Sequence, residues 1–484
     1  MRSYYSIISG NMIGQTRRQD SLFFAAFGRE AGRIRDEVLD GIEGLLDEAL
    51  VAVVRQRLEV RSPQSTKTGR PGMAPDRLLR CCVLKHVKGW SFRELEQELR
   101  CSLVYRRFTR FDADPIPDFS TLSRTFALLG EEVAASIHRA VVEKARTTGV
   151  AKGRKLRTDT TVVESNVHYP TDSSLLADGV RVLTRHLVRI AKCCRPGAVK
   201  VRQRKRAVQR RVLEISRAAK SATEPSRERL KTSYGKLLEI AGIVTRLGER
   251  VSNGLKEQTL AIVDDSVSLL ANRIALDHCL PTMKKVIEQT TLRVFGGDTR
   301  VPEKVLSFFE PHTVAIRKGK AHKPTEFGRL VRIDEVENGI VSGYEVLAGN
   351  PSDANAWGAA LSLHQMLFGR APRMATADRG YFSAKNEADA IEQGVHLVAL
   401  PARGPLSKKR AAIQKTRPFR RALRWRAGIE ARISTLKHPF SMARAFYKGA
   451  KGFVRYVGWC VISHNLVSLG RTLAARTKKE SVTR

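Results

Sequence analysis

Cysteine is scarce in this chain, with seven in 484 residues. Cys81, Cys82, Cys101, Cys193, Cys194, Cys279 and Cys460 form no C-x-x-C pair, and their number is odd. That spacing argues against a disulfide framework or a zinc site and fits small core residues in a reducing compartment. No run of eighteen apolar residues exists, and the start, MRSYYSIISGNMIGQTRR, lacks a hydrophobic segment followed by a cleavage site. The chain therefore reads as soluble and cytoplasmic. Acid is short as well: 48 carboxylates face 86 Lys and Arg, a net charge of +38. Such an excess repels itself in a compact fold and makes sense beside a polyanion. Nucleic acid is the expected partner, with an anionic membrane surface as the alternative.

Apolar residues make up 42% of the chain, enough for cores in two to four domains. Residues 20–60 carry Leu39, Ile42, Leu45, Leu46 and Leu50 at helical intervals, and the Gly/Pro/Ser-rich connector RSPQSTKTGRPGM follows. Residues 74–130 read as short helices. Ser91 and Glu94 form a capping box ahead of the stripe Phe92, Leu95 and Leu99, and Asp118 or Ser120 caps a helix carrying Leu122, Phe126 and Leu129. Arg100, Arg106, Arg107, Arg110 and Arg124 lie among them, as in a helix-turn-helix-like DNA module or a merely structural bundle.

The pattern then turns to strand. KLRTDTTVVE (155–164) is β-branched and encloses Asp159. An acid there costs solvation free energy unless it is paired, metal-bound or at an edge facing water. Residues 173–300 return to basic helical spacing, and KVRQRKRAVQRR (200–211) holds seven cations and no acid. That run is a solvated face or a phosphate-backbone contact. Strand patterning resumes at 312, with a hairpin turn at Asn338-Gly339. A helix starts after Asn350-Pro351, RMATADRGYF (373–382) reads as a buried strand ending at Asp378, and a helix, a strand (396–401) and a basic loop follow.

The last element before the C-terminal region is RALRWRAGIEARISTLK (421–437), a helix with one acid, Glu430, among cations. At about 100° per residue, Arg426 and Lys437 lie within about 40° of Glu430. The plain alternative is a solvated helix with an i,i+4 Arg–Glu pair. Without 173–300 the order is β-β-β-α-β-α-β-α, that of the ribonuclease H-like fold, a mixed sheet flanked by helices. In that topology the strand of Asp159 runs beside the strand ending at Asp378, and the final helix can lay Glu430 against both. Converging carboxylates suit two Mg²⁺ ions about 3.5–4 Å apart, which activate a water or 3′-hydroxyl and stabilise the leaving oxygen of a phosphodiester.

D-T-T-V-V-E, A-D-R-G-Y and R-x3-E-x6-K together resemble the DDE transposases of bacterial insertion sequences, in the broad IS4/IS5-like group. RTDTTVVESNVHYPTDSSLLADGVRVLTR and KGKAHKPTEFGRL look more particularly like the ISNCY-type or a related branch. The resemblance spans roughly residues 70–470. It implies that Asp159, Asp378 and Glu430 are catalytic metal ligands for two Mg²⁺, with Mn²⁺ able to substitute. It also implies that Arg426 and Lys437 hold DNA phosphate, and that Arg379 and Tyr381 position the strand beside Asp378. Arg106, Arg107 and Arg124 are DNA contacts of the N-terminal module. The family's signature helix reads Y-x2-R-x3-E-x6-K, and here Leu423 occupies the Tyr position, with Trp425 or Tyr447 as substitutes. Competing carboxylates are Glu164, Asp172 and Asp178 for the first position, and Asp334 and Asp353 for others. Glu164 falls on the opposite face of the strand from Asp159.

The expected architecture is α+β/α/β: helical segments 1–65 and 66–150, a ribonuclease H-like core (151–172 plus 301–470), an all-α insertion (173–300) and a disordered basic tail (471–484). The expected function is cutting at insertion-element ends and joining the 3′-hydroxyl to target DNA, as a homodimer or larger assembly, associated with the nucleoid. A DNA endonuclease that cuts without joining and a non-catalytic DNA-binding protein are the alternatives.

Overall fold

The computed structural model describes residues 35–60, 72–264, 266–298, 300–317 and 324–482. Residues 20–34, the connector at 61–71 and the stretch 318–323 lie outside them. Contacts divide the chain into two compact units, Met1–Asn166 with Gly328–Arg484, and Val167–Phe327.

The first unit begins with helices: α1 (Glu37–Glu43), α2 (Glu48–Glu59), α3 (Pro75–Lys88), α4 (Phe92–Cys101), α5 (Leu103–Phe108), α6 (Phe119–Leu128) and α7 (Glu131–Thr147). Local chemistry explains their ends. Ser91 Oγ accepts from Glu94 N while Glu94 Oε2 accepts from Ser91 N, the expected capping box, and Asp118 caps α6. Leu39, Ile42, Leu45, Leu46 and Leu50 are all buried, as their spacing predicts.

Strand β1 (Lys155–Ser165) opens the sheet. Next come α8 (Asp172–Cys193), α9 (Lys205–Ala218), α10 (Glu224–Lys256), α11 (Val267–Val294) and β2 (Val314–Ile316), then β3 (Glu326–Glu335) and β4 (Val341–Val346). The turn between β3 and β4 uses left-handed Asn338 (φ 55) and Gly339 (φ 75), the hairpin that Asn-Gly predicts. The chain finishes with α12 (Trp357–Phe368), β5 (Met374–Thr376), α13 (Ala384–Glu392), β6 (Leu397–Ala399), α14 (Lys408–Lys415), α15 (Arg417–Lys437), β7 (Arg444–Ala445) and α16 (Gly449–Val482).

In the first unit β1 is central. It pairs antiparallel with β3 and parallel with β5 and β7; β4 lies antiparallel on β3, and β6 parallel on β5. This is a mixed sheet flanked by helices. α15 packs on β1, β5 and β6, while α16 packs on α1, α3, α7 and β4. Asn465 of α16 bonds both the N–H and the carbonyl of Val341, at 2.9 and 2.8 Å.

Three expectations change. The N-terminal helices share a unit with the sheet instead of forming separate domains 1–65 and 66–150, because α1, α3 and α7 all bury against α16. The basic stretch before 421 is largely helical, since its Lys, Arg, Ala and Gln are good helix formers. For the same reason residues 471–482 continue α16 and are no disordered tail. Arg476 also ties that end to the carbonyls of Thr148 and Gly149.

The second unit is all-α apart from β2 and the first residues of β3 and is wider than 173–300. Leu176, Leu183, Leu187, Leu237, Leu276 and Met283 are fully or almost fully buried where α8, α10 and α11 meet. Asp172, 1% exposed, is held there by Arg293 at 2.5 Å and Lys304 at 3.7 Å. No helix among the described residues is long and apolar enough to cross a membrane.

Candidate active site

Two of the three expected carboxylates lie on or just beyond neighbouring strands. β1 pairs with β5 at Lys155–Met374, Leu156–Ala375 and Arg157–Thr376. Carrying that register two residues further sets Asp159 opposite Asp378, just past the end of β5. Residues paired across parallel strands share a face of the sheet.

That face of β1 is the one α15 covers. Arg157, two residues before Asp159, lays its guanidinium 4.6 Å from the Trp425 ring centroid and donates to the Trp425 carbonyl. Gly428 of α15 lies so close to Arg157 that a Cβ there would collide with the guanidinium. The other side of Arg157 is neutralised by Glu335, at 2.6 and 2.9 Å, and Glu335 also pairs with Arg432 of α15 at 3.2 Å. A buried ion triad thus fixes the helix over the strand.

Asp378 ends its strand in extended conformation and caps a 3₁₀ turn, Arg379–Tyr381, through Oδ1 to Gly380 N at 2.6 Å. Gly380 leaves room for the tips of the neighbouring side chains. A Cβ would lie 2.8 Å from Asp378 Oδ1 and 2.9 Å from Asp353 Oδ2, with Arg403 at 3.2 Å. Asp353 in turn accepts from Thr160 Oγ1 at 2.6 Å, while Asp159 Oδ1 accepts from Thr160 N at 2.7 Å. Asp159, Asp378 and Asp353 therefore border one short stretch of strand end. Burial pushes the Tyr381 phenol well above its ordinary range, and Asp159, Asp353 and Asp334 add to the shift.

Glu430 does not join them. Its carboxylate is 72% exposed, with Arg426 at 3.9 Å. Phe419, Ala422, Ile429 and Leu436 fill the buried face of α15, and Glu430 follows Ile429 about 100° further round. Among the described residues no three Asp, Glu, His or Cys side chains lie close enough to hold a metal. The expected three-carboxylate cluster is thus absent among the described residues, while the extended register sets Asp159 and Asp378 on or just beyond neighbouring strands.

Other expectations sort by environment. Tyr381 is fully buried against Trp357, so it shapes the turn and cannot touch DNA. Arg379 is exposed beside Asp378, and Lys437 is half-buried at the end of α15. Arg106 bonds the carbonyls of Asp112 and Asp114 at 2.6 and 2.7 Å, a loop-holding role, whereas Arg107 and Arg124 have exposed side chains. Leu423 packs with Met374, Ala399 and Phe419. Trp425 is taken by Arg157, and Tyr447 bonds His86 at 3.2 Å in an aromatic cluster, so neither substitutes for the missing Tyr as a stacking surface in this arrangement. Among the competitors, Glu164 pairs with Arg444 at 2.8 Å, Asp178 with Arg181 at 2.7 Å, and Asp334 with Arg332 at 3.1 Å. Asp353, one of those competitors, is the carboxylate that the fold brings beside Thr160 and Gly380.

Hard oxygens at Asp159 and Asp378, with room left by Gly380, suit Mg²⁺ or Mn²⁺. A mixed sheet carrying aspartates beside a cationic helix is shared by more than one family. Comparison with known families identifies which one. The model for Transposase domain (DUF772) matches residues 29–128, and that for Transposase DDE domain matches residues 311–466. The chain belongs to the DDE transposases of insertion sequences. Asp378 and Glu430 fall within the second match; Asp159 lies outside both and reaches the site through β1. No curated protein and no solved structure matches the chain.

Proposed function

We propose that this transposase cuts the ends of an insertion element and joins the freed 3′-hydroxyl to target DNA, on a ribonuclease H-like core. The observation that supports the reading is the parallel pairing of β1 with β5, whose register, carried two residues past Arg157–Thr376, sets Asp159 opposite Asp378 on the face of β1 beneath α15. In this reading Asp159 and Asp378 are the principal metal ligands, and Glu430, which stands apart from them on the exposed side of α15, would complete the set only when metal and DNA are bound. Bound divalent metal supplies the activated nucleophile and the stabilised leaving oxygen. Arg426 and Lys437 hold phosphate along α15, and Arg379 faces the strand beside Asp378. Asp353 orients the β1 end through Thr160. The exposed cations Arg107 and Arg124 contact duplex outside the cleavage point. Two element ends need at least two copies of the chain, acting at the nucleoid in the cytoplasm.

The test is incubation with element-end duplex and Mg²⁺, wild type against Glu430→Gln. Strand transfer by wild type and none by the variant supports the reading. Cleavage without joining makes the protein an endonuclease. Duplex binding with no Mg²⁺-dependent chemistry in the wild type removes the enzymatic reading altogether.

A further inference from the structure

The insertion contains a groove of about 780 Å³ between α8 and the segment entering α9. Arg181, Arg185, Arg189 and Lys192 line one wall at i, i+4, i+8 and i+11, covering about 16 Å of helix axis within about 80° of one face. Arg204 and Lys205 line the opposite wall. Arg181 is paired with Asp178 at 2.7 Å. The side chains of Arg185, Arg189, Lys192, Arg204 and Lys205 make no ion pair or hydrogen bond with any described residue. Holding these like charges on facing walls, with Asp178 the one carboxylate among the lining residues, costs free energy that an anionic occupant would offset.

We propose that this groove is a track for the sugar-phosphate backbone of duplex DNA, separate from the carboxylate site. The charges are strung along the groove, which suits successive phosphates; a small anion needs cations converging on one point. The walls are concave and cationic on both sides, which fits a strand better than a flat anionic membrane. Contacts of this kind read no base edges, so the track holds DNA of any sequence. The inference rests on the reading of the chain as a DNA-acting enzyme.

The test uses the full chain, a fluorescein-labelled duplex of random sequence and anisotropy titrations over a range of salt. The variant Arg185→Gln/Arg189→Gln/Lys192→Gln is expected to bind about tenfold or more weakly at low salt, with a log–log salt slope shallower by about two to three. Arg204→Gln/Lys205→Gln, on the other wall, is expected to lower the slope by about two on its own. Far-UV circular dichroism confirms that each variant is folded. If both variants match a wild type that binds, the track is refuted while the active-site reading stands. A wild type that binds no duplex refutes both. Loss of binding to phosphatidylglycerol vesicles, with duplex binding unchanged, refutes the track in favour of a membrane contact.

Discussion

Around the sheet, Arg157 and Arg432 share the carboxylate of Glu335, and Arg332 is divided between Asp334 and Glu345. In the insertion, Arg185, Arg189 and Lys192 line a groove with no acid paired to them. Both regions are rich in arginine, yet one spends it on holding a helix over a strand and the other leaves it for solvent or a ligand. Net charge alone, +38 for the chain, cannot separate these uses. Pairing and burial do, and four tests probe the separation.

The largest expected effect is on chemistry. Asp159→Asn and Asp378→Asn should each reduce strand cleavage by roughly a thousandfold or more, because metal-held charge stabilisation is worth several kcal/mol. The thermal midpoint of each variant should stay near the wild-type value, and the cleavage assay should be run beside it. Cleavage within tenfold of wild type in either variant would remove that aspartate from the site.

Next comes the buried triad. Glu335 is fully buried between two guanidinium groups, so Glu335→Gln should cost about 3–5 kcal/mol of stability by leaving Arg157 uncompensated. Neutralising a cation of the groove, Arg185→Gln, should shift stability by less than about 0.5 kcal/mol. Urea denaturation of both variants makes the comparison direct. Equal losses would show that the two arginine populations do not differ as their pairing indicates.

Acid should also strike the units unequally. Burial pushes His138 down to about 4, His364 to about 4 and His464 to about 3, all in the sheet-bearing unit. The folded values lie below the ordinary one near 6.5, so the unfolded chain binds more protons in between. Stability is therefore full above pH 6.5 and falls as pH drops toward 4, by on the order of 1 kcal/mol for each histidine at pH 5.5. Among the described residues of the insertion no histidine is fully buried. All four tryptophans, Trp90, Trp357, Trp425 and Trp459, lie in the sheet-bearing unit. Tryptophan fluorescence should report acid unfolding at a higher pH than far-UV circular dichroism, which also sees the insertion helices.

The two regions differ as well in how much their sequence revealed. Caps, the Asn-Gly hairpin and the strands of Asp159 and Asp378 were legible because each depends on neighbours a few residues away. That their strands are parallel neighbours followed once the strand order was inferred. The orientation of α15 was not legible. Helical spacing gives the angle between Glu430 and Arg426, but which side meets the sheet depends on Arg157, a cation in a strand whose partner Glu335 is 178 residues away. The resemblance gave Tyr381 a place beside the DNA strand, and only the packing against Trp357 shows that its ring is buried. In the insertion the basic run at 200–211 was visible, but the facing wall on α8 was not, because its cations are spread through an ordinary amphipathic helix.

The smallest expected effect concerns the helix that carries Glu430, and it decides how that helix belongs in the comparison. Arg426 lies 3.9 Å from Glu430, an exposed i,i+4 contact on the same helix. If pairing were its whole role, it would resemble the surface pairs that contribute only a few tenths of a kcal/mol. Arg426→Gln should accordingly change the urea midpoint barely at all. As a phosphate contact, however, Arg426 should release about one counterion on binding, so the variant's salt slope on element-end duplex should be shallower by about one. Such a result would group Arg426 with the unpaired cations of the insertion groove despite its place beside the sheet. An unchanged slope, with the same small stability effect, would leave it as a solvated helix charge and shift phosphate holding near the aspartates to Lys437 and Arg379.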